Sequence, residues 1–598
     1  AEALSDLGHK EALEALALAS EDHSFSSVRH IARDALRKHG VASRRSRPAS
    51  PQATEPAGAS PGASEAGPLE AIVFIKGSNN LANTIGTVEQ ADPWRVTYVV
   101  TDSGPAYRPG RNLYVLRPPR PDGKVTPLTR FADGYVAEPE LSWDASHVVF
   151  AHRGENDPWW HVYRVNVDGS GLVQLTHGPY HDVGPAYLPD GRIVFGSTRS
   201  GIRDEYHGYP CTALYVMNPD GTGMHPIATN IGRDNEPAVL PDGRIVFSRL
   251  EVFYSRNKTE LTVHAVHPDG TKDVVLYGPE RREYWAEQNR VGPRGPGEVG
   301  NVPLTHRVLR ISQPQPMADG RSLIVATPGG LTLIGSRRTT ETVVTKDNKN
   351  RAYTTPFPLP DGRVLCASSL KEHDREKVDL GLYTLDPESG HLELVYNDPR
   401  VADFEPRPVL RRKPPVMRPE KTKPGTYSGR FLCSSVFASQ EEHVPSRGRW
   451  VRLIEGVPRV GRHSTHTTPW PVWKNHGGTF ARVLGTAPLA PDGSFPVEAP
   501  ADRLLHFQVL DSDRRVIGNQ KTWIAPRPGE MKSCVGCHEH PHTTSRGNDP
   551  IASLYPPLEF LPTGDEFRYR AKAWFMGHLP GEIEERTRTV RAVNLLGR

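Results

Sequence analysis

The stretch Leu188-Pro-Asp-Gly-Arg-Ile-Val-Phe195 decides the fold, because the chain repeats it. Three further copies are Leu240-Pro-Asp-Gly-Arg-Ile-Val-Phe247, Met317-Ala-Asp-Gly-Arg-Ser-Leu-Ile324 and Leu359-Pro-Asp-Gly-Arg-Val-Leu-Cys366, and Leu141-Ser-Trp-Asp-Ala-Ser-His-Val-Val-Phe150 is a weaker one. An Asp-Gly pair between apolar runs is typical of a tight turn that joins two antiparallel strands. Each copy therefore predicts a β-hairpin.

A second repeated phrase follows most copies of the first. It reads Tyr163-Arg-Val-Asn-Val-Asp-Gly169, Tyr215-Val-Met-Asn-Pro-Asp-Gly221, Val263-His-Ala-Val-His-Pro-Asp-Gly270 and Tyr383-Thr-Leu-Asp-Pro387. Two hairpins in a period of about 45 residues are typical of the four-stranded blade of a β-propeller. Residues 71–129 supply later strands of a blade without its opening strand, whereas 404–410 is an opening strand without a blade. We therefore predict six blades, closed where 404–410 joins the first blade.

The Pro-Asp-Gly-Arg turns resemble those of the TolB-like propeller family, in which this tetrapeptide recurs in the same position. The resemblance covers residues 71–410. It implies a six-bladed TolB-like β-propeller and says little about function, since one fold serves many activities.

Length and charge set limits on the whole chain. Its 598 residues predict two to four domains, because single cores seldom extend beyond about 250–300 residues. A net charge of +4 from 73 basic and 69 acidic residues lacks the basic surface of nucleic-acid binding proteins. No apolar run is long enough to span a bilayer. The first residue is Ala rather than Met, which indicates a mature form or a fragment.

The flanking segments differ from the propeller at 69–411, and the chain as a whole is predicted to be mainly β. Residues 1–40 carry two helical patterns, 10–19 and 26–39, which resemble one HEAT-type repeat. Residues 41–68 are rich in Ala, Pro and Ser and predict a disordered linker. Alternating apolar segments predict a small β-sandwich-like domain over 426–545. In the C-terminal extension 546–598, the Arg- and Glu-rich stretch 582–596 predicts a helix.

The pentapeptide Cys534-Val535-Gly536-Cys537-His538 is typical of a covalent c-type haem site. Two thiols at this spacing add to the two vinyl groups of one haem, and the adjacent imidazole reaches its iron. We expect Cys534 and Cys537 to form the thioether bonds and His538 to bind the iron. Haem c is attached outside the cytoplasm, so the motif also predicts a periplasmic or other extracytoplasmic location.

Other chemistries remain open for the same residues. A dithiol redox centre normally lies between a strand and a helix, whereas the residues before this motif have a β pattern. A disulfide within the motif would be strained. A zinc site could use four nearby side chains: Cys534, Cys537, His540 and His542. Three further cysteines lie in apolar, strand-like segments typical of buried thiols, with a disulfide between two of them left open: Cys211, Cys366 and Cys433.

The segments around the motif carry a second resemblance. They are Arg482-Val-Leu-Gly-Thr486, Pro491-Asp-Gly-Ser494, Val497-Glu-Ala-Pro500, Phe507-Gln-Val-Leu510, Trp523, Pro528-Gly-Glu530 and Ser533-Cys-Val-Gly-Cys-His-Glu539. In this order they resemble the middle domain of the hydrazine synthase alpha-subunit family, over about 430–540. The resemblance implies an alternative ligation, in which the motif His turns to zinc and a Tyr four residues later binds the iron. His542 occupies that position here, which makes it a candidate ligand of the iron or of a second metal.

The family also carries a second haem in a C-terminal domain, but no cysteine follows Cys537 in this chain. We therefore expect one haem. Other candidates for its second axial ligand are His540, a weak one, and a loop cluster: His463, His466 and His476. Glu539 is a candidate to orient a ligating imidazole. Two stretches at predicted blade ends, 177–182 and 204–207, are interpreted as connecting loops.

These observations predict an extracytoplasmic mono-haem c-type cytochrome of the hydrazine synthase alpha-like group. Its expected role is electron transfer or small-molecule redox chemistry, as a possible haem-dependent oxidoreductase within a multi-subunit complex. Expected partners are a redox protein and subunits that bind the propeller face, the HEAT-like segment or the C-terminal helix, with no nucleic acid and no membrane span. The alternative is a propeller-based scaffold in which the haem or a metal is structural.

Overall fold

A computed structural model of the chain describes residues 69–77, 110–203, 210–253, 258–277, 311–327, 329–335, 341–347, 350–370, 379–423, 425–439, 443–457, 459–460, 480–520, 523–536, 549–560, 566–570 and 585–589. The chain divides into two units, Ala1–Gly62 and Ala63–Arg598, and all described residues belong to the second. The predicted HEAT-like helices and the whole of the predicted linker therefore lie outside the described residues. The expectation of a mainly β chain is confirmed by the strands below.

Six four-stranded antiparallel sheets form the propeller. The first blade consists of β1 (Ile72–Gly77), β2 (Arg111–Arg117), β3 (Lys124–Pro127) and an inner strand, β25 (Ala402–Pro408). The second consists of β4 (Tyr135–Leu141), β5 (His147–Arg153), β6 (His161–Asn166) and β7 (Val173–Gln174). The third consists of β8 (Asp182–Tyr187), β9 (Ile193–Ser197), β11 (Ala213–Met217) and β12 (His225–Pro226). The fourth consists of β13 (Arg233–Val239), β14 (Ile245–Phe253), β15 (Lys258–Val266) and β16 (Val274–Tyr277). The fifth consists of β17 (Ser312–Pro316), β18 (Leu323–Thr327), β19 (Gly330–Ile334) and β20 (Glu341–Val343). The sixth consists of β21 (Arg351–Pro358), β22 (Val364–Leu370), β23 (Gly381–Leu385) and β24 (Leu392–Tyr396).

The ring closes through a strand from the far end of the repeats, as the incomplete first blade predicts. β25 pairs with β1 in antiparallel register, from Ile72 opposite Pro408 to Gly77 opposite Ala402. Lys76 of β1 also forms a 2.6 Å ion pair with Asp398, just before β25. This closure removes the two open sheet edges that a linear row of blades would expose.

The recurrent Pro-Asp-Gly-Arg turn has a local cause. Gly191 lies at φ 89°, in the left-handed region that favours glycine. The carboxylate of Asp190 accepts hydrogen bonds from the Arg192 backbone N–H at 3.1 Å and from its Nε at 2.7 Å. The same Asp–Arg contact recurs in two other blades: Asp242–Arg244 and Asp361–Arg363. The Asp, Gly and Arg of the repeat therefore stabilise the turn through their own conformation and contacts.

A β-bulge interrupts the inner strand of every blade. In each case one residue with positive φ precedes a proline, and the strand register shifts there. The six residues, here called the axial ring, are Glu138, Gly184, Glu236, Gln313, Thr355 and Glu405. Neighbouring inner strands contact one another around the propeller. The axial ring therefore lines the central axis, around a cavity of about 50 Å³.

Side chains of the axial ring link successive blades. A carboxylate or amide oxygen from one blade accepts a hydrogen bond from the backbone N–H of the equivalent residue in the next. These bonds run from Gly184 N to Glu138 at 2.6 Å, from Gln313 N to Glu236 at 2.6 Å, from Thr355 N to Gln313 at 2.7 Å, and from Glu138 N to Glu405. Gln313 shows that an uncharged amide can accept the same hydrogen bond.

Glu138→Gln is expected to raise the free energy of unfolding at pH 8 by about 1 kcal/mol or more. Burial and, after it, the charges of Glu405 and Glu236 hold the pKa of Glu138 well above its usual value. The folded state therefore favours the protonated Glu138 carboxyl. The contribution of Glu138 to stability is full below the ordinary glutamate pKa of about 4.3, and it is lost as pH rises toward the raised pKa. Urea denaturation at pH 4 to 8 measures this, with exposed Glu388→Gln as control. A wild type that gains stability over the variant as pH rises would contradict the argument.

After the propeller, two further four-stranded sheets form a β-sandwich. One sheet has the order β33 (Met531–Cys534), β26 (Ser428–Cys433), β30 (Phe495–Pro500), β34 (Leu558–Glu559), and the other has the order β29 (Phe480–Pro488), β27 (Trp450–Val457), β31 (Leu504–Leu510), β32 (Val516–Asn519). Helix α1 (His443–Arg447) precedes β27, and a 3-10 helix (Ile551–Leu554) precedes β34. Buried side chains from both sheets share one core, including Phe431, Val451, Val497, Leu505 and Val509. These two sheets are the β-sandwich-like domain that the sequence predicts.

The sandwich extends further along the chain than predicted, past residue 545. β34 pairs in parallel with β30, Phe560 N donates to the Glu498 carbonyl at 2.8 Å, and Phe560 packs in the core. Residues 549–560 therefore belong to this domain and not to the extension predicted to begin at 546. No local pattern predicts this strand, because two residues are too few to show a periodicity.

The helix predicted over 582–596 is wrong for the part of it that the structure describes. β36 (Glu585–Thr589) pairs with β35 (Glu566–Arg570) as an antiparallel hairpin, with Phe567 opposite Arg588 and Tyr569 opposite Arg586. Threonines at alternate positions, Thr587 and Thr589, suit a strand, and pairing with β35 outweighs the helical charge pattern. The described part of the chain contains no helix with the length and apolar run that a membrane crossing would need.

The sandwich packs against the third and fourth blades. A short strand from the loop after β9, β10 (Ile202–Arg203), pairs with β28 (Arg459–Val460) of the sandwich. Beside this pair, buried apolar side chains from both domains form one cluster: Ile202, Cys211, Ile231, Leu504 and Trp523. The connecting segment is also tied to the propeller, since Lys421 N donates to Asp269 at 2.6 Å. Propeller and sandwich are therefore held together by both apolar and polar contacts.

Candidate functional site

The haem-type motif begins at the end of an edge strand of the sandwich. β33 ends at Cys534 and lies parallel to β26, and Ser434 N donates to the Cys534 carbonyl at 2.8 Å. The Cys534 side chain is half-buried and packs against the sandwich core. The sheet therefore fixes the direction of the Cys534 side chain, and the residue as a whole stays partly exposed.

Gly536, the second residue between the two motif cysteines, packs closely on the loop after β26. A Cβ atom at this position would overlap the carbonyl oxygen of Ala438 and approach the Ala438 Cβ to 2.8 Å. Only glycine lets the backbone come this near. The start of the motif is therefore held by two contacts with one loop, at Ser434 and at Ala438.

The chain that enters β33 is held by the propeller. Glu530 is 4% exposed, and its carboxylate accepts hydrogen bonds from Lys272 N and from Arg527 N, both at 2.8 Å. The Lys272 ammonium donates to the Met531 carbonyl at 3.4 Å. Lys272 belongs to the turn between β15 and β16 of the fourth blade. A propeller turn therefore fixes the position from which the motif strand starts.

Arg527 completes this connection with a buried ion pair. Its Nη1 donates to Asp502 Oδ1 at 2.7 Å, and the two side chains are only 9% and 8% exposed. Its Nε donates to the carbonyl of Asp269 in the propeller at 3.2 Å. One guanidinium thus joins the sandwich carboxylate to a propeller turn, three residues before Glu530.

A third cysteine lies beside the motif. Cys433, the last residue of β26, is the direct register partner of Cys534 and is 3% exposed. The sequence prediction treated Cys433 as an isolated structural thiol. Its neighbour could not be identified from spacing, because the two parallel strands are separated by the whole of the other sheet.

Most of the predicted ligands lie outside the described residues. These are Cys537, His538, Glu539, His540, His542, His463, His466 and His476. Among the residues that the structure does describe, no group of three or more His, Cys, Asp or Glu side chains is arranged to hold a metal ion. The described part of the motif fits covalent haem attachment, since Cys534 is a partly exposed residue at a sheet edge. The zinc alternative depends on residues beyond Gly536.

At the described blade end, Asp182 and His181 are part of the propeller structure. In 177–182, Asp182 forms a 2.7 Å ion pair with Arg199 and accepts a 2.6 Å hydrogen bond from the Ser197 hydroxyl. His181 is buried with its ring centroid 4.8 Å from that of Trp159. These contacts support the connecting-loop interpretation of 177–182, whereas 204–207 lies outside the described residues.

Sequence reasoning missed several residues that position the motif. Glu530 lay within a segment of the family resemblance but was given no role, and Arg527 and Cys433 were not connected to the motif. The axial ring was also missed, although a proline follows its residue in every blade and this recurrence was legible in the repeats.

Comparisons with known proteins agree on the surroundings of the motif. Residues 449–539 match the model of the hydrazine synthase alpha subunit middle domain. Hydrazine synthase subunit alpha of Kuenenia stuttgartiensis is 22% identical over 498 residues, which cover 67% of this chain and 59% of that protein. The chain thus matches less than two thirds of the length of this curated relative.

Solved structures extend the likeness to the fold. Kuenenia stuttgartiensis hydrazine synthase superposes with a TM-score of 0.64 at 20% identity, covering 82% of this chain and 72% of that chain. TolB from Acinetobacter baumannii has a TM-score of 0.36 at 12% identity, covering 56% of this chain and 66% of that chain. The first superposition includes most of the chain. This chain accordingly contains a domain similar to the hydrazine synthase alpha subunit middle domain and shares a fold with Kuenenia stuttgartiensis hydrazine synthase over most of its length.

Proposed function

We propose that the chain is an extracytoplasmic mono-haem c-type cytochrome that carries out electron transfer or small-molecule redox chemistry as one subunit of a larger complex. The observation that supports it most is the fixed Cys534 thiol at the edge of a domain that matches the hydrazine synthase alpha middle domain. The name of the relative describes a subunit, which supports a multi-subunit assembly.

The described residues would hold the haem by fixing the position of Cys534, and not by forming ion pairs with the haem. Cys534 supplies one attachment point, β33 and the Ala438 contact fix its direction, and Glu530 anchors the strand to the propeller. A covalently bound haem supplies reversible one-electron chemistry at its iron. Cys537 would supply the second attachment point and His538 the axial ligand, by the ordinary rule for this motif. The compartment follows from the attachment chemistry, which operates outside the cytoplasm.

We expect the full chain, produced in cells that carry a c-type haem attachment system, to contain one covalent haem. The mass of the peptide around Cys534 and the absorption of the denatured protein measure this. Replacing both Cys534 and Cys537 by Ala should abolish covalent haem, because no thioether bond remains. Cys366→Ala, in the buried core of the sixth blade, is the matched control and should keep the haem. A wild-type chain without the haem adduct contradicts the proposal.

The same protein distinguishes the two ligation schemes. His538→Ala should shift the haem spectrum to high spin, while His542→Ala should leave the iron ligation unchanged, because the ordinary motif places the adjacent imidazole on iron. The reverse pattern, together with zinc bound in the wild type, would favour the ligation that the family resemblance implies. A low-spin spectrum indifferent to carbon monoxide would favour electron transfer, whereas ligand binding would favour catalysis.

A further inference from the structure

We propose that Cys433 and Cys534 are a redox pair that forms a disulfide while Cys534 carries no haem. The disulfide itself depends only on strand pairing. Its consequence, that haem attachment at Cys534 requires prior reduction of this bond, rests on the proposed function. Cys433 would then be a third cysteine of the attachment site, outside the pentapeptide motif.

Strand register brings the two residues together. β26 and β33 are adjacent parallel strands in which Arg430 faces Met531, Phe431 faces Lys532 and Cys433 faces Cys534. Neighbouring strands lie about 4.8 Å apart, and disulfides span Cα separations of about 4.4–6.8 Å. The Ser434 N to Cys534 carbonyl hydrogen bond, at 2.8 Å, holds the pairing to the end of both strands. The usual separation of paired strands therefore lies within the range of Cα separations that a disulfide spans.

Both side chains point to the same side of the sheet. Along β26, Phe431 and Cys433 are buried and belong to the sandwich core. Along β33, the alternate residues Met531 and Ser533 are exposed, whereas Cys534 packs against that same core. Because side chains on adjacent strands alternate in step, the two sulfur atoms share the inner face.

The remaining described cysteines are poorly placed to compete. Cys366 is fully buried in the sixth blade, and burial raises the pKa of its thiol to about 12, which suppresses the reactive thiolate. Cys211 lies in the apolar cluster between propeller and sandwich. Among the described cysteines, Cys433 is therefore the favoured partner of Cys534.

The chemistry is an ordinary thiol–disulfide exchange that needs a disulfide oxidant, either a small molecule or a protein. The half-buried Cys534 thiolate attacks the oxidant, forms a mixed disulfide and releases one thiol. The Cys433 sulfur then attacks the Cys534 sulfur and releases the second thiol. Two electrons pass to the oxidant, and its two sulfur atoms leave as thiols with the two protons. Haem attachment consumes the Cys534 S–H bond, so the disulfide must first be reduced by a dithiol.

The test uses the full-length wild-type chain produced without haem attachment and treated with oxidised glutathione. After alkylation under denaturing conditions, the unreduced peptides are mapped by mass. We expect one linked pair that contains Cys433 and Cys534 and that dithiothreitol separates. Cys211→Ala should retain this pair, and Cys433→Ala should lose it and leave Cys534 joined to glutathione. Alkylation of both cysteines after oxidation, or a link from Cys534 to Cys537 alone, would overturn the proposal.

A second arm separates this inference from the proposed function. Haem attachment to the oxidised chain should fall at least about tenfold without dithiothreitol and recover with it. Cys433→Ala freed from glutathione should attach haem without further reductant. A disulfide that forms in a chain that never attaches haem contradicts the proposed function and leaves the redox pair standing. Equal haem attachment to oxidised and reduced wild type overturns the proposed role of the pair.

Discussion

Arg527→Ala is expected to lower the free energy of unfolding by about 3–5 kcal/mol, because it removes one partner of a buried ion pair with Asp502. The wild-type ion pair is short, at 2.7 Å, and almost fully removed from solvent. The same substitution also removes the hydrogen bond to the Asp269 carbonyl of the propeller. We therefore expect loss of coupling between the two domains in addition to loss of stability.

Urea denaturation monitored by tryptophan fluorescence and by far-UV circular dichroism measures both effects. Wild type should unfold in one transition, and Arg527→Ala should show an earlier separate transition for the sandwich. Arg515→Ala, which breaks an exposed pair with Asp513 in the same domain, is the matched control and should cost less than about 1 kcal/mol. Adding Asp502→Asn to Arg527→Ala should recover part of the loss. An Arg527→Ala chain as stable as the control would show that the Arg527–Asp502 ion pair does not contribute to stability.

Gly536→Ala is expected to lower the fraction of chain with covalent haem roughly tenfold. The added Cβ would overlap the Ala438 carbonyl oxygen, so the backbone of the motif must move away from the loop after β26. Forcing an extra carbon into a close contact costs about 1–3 kcal/mol, and here the displaced segment carries the attachment cysteines.

The haem-to-protein ratio of the purified chain measures the effect, and the midpoint of urea denaturation shows whether the fold survives. Gly154→Ala, in a blade loop where an added Cβ meets nothing closer than 3.9 Å, is the control and should load haem normally. Normal haem loading in Gly536→Ala would mean that the Ala438 contact does not position the motif.

The propeller could be predicted from the sequence because its information is local and repeated. In the turn Asp190-Gly191-Arg192, the conformation of Gly191 and the contacts of Asp190 with Arg192 stabilise the turn locally. The same residues therefore form the same hairpin in several blades. Ring closure was also predictable, since a blade without an inner strand and a strand without a blade occur at opposite ends of the repeats. The C-terminal stretch was misread because a charge pattern alone does not distinguish a helix from a strand that has a pairing partner.

The site was predictable only in its chemistry. The spacing of Cys534 and Cys537 and the adjacent His538 indicate haem attachment without reference to any fold. The residues that position Cys534 lie in distant parts of the chain. They include Lys272 in the propeller and Cys433 on the neighbouring parallel strand β26. No periodicity or spacing encodes such contacts, so they appear only in the folded structure.

The closing strand also sets the order in which the protein can fold as it is made. Lys76 and Asp398, which meet at the seam of the ring, are 322 residues apart in the chain, so the first blade remains without its inner strand until nearly the whole propeller has been synthesised. Contacts of such separation form slowly, and domains fold from the N-terminal side during synthesis. The residues that complete the ring are nonetheless made before the cysteines of the motif. The propeller residues that hold Glu530 therefore precede Cys534 in the chain, so the propeller can close before the haem motif folds against it.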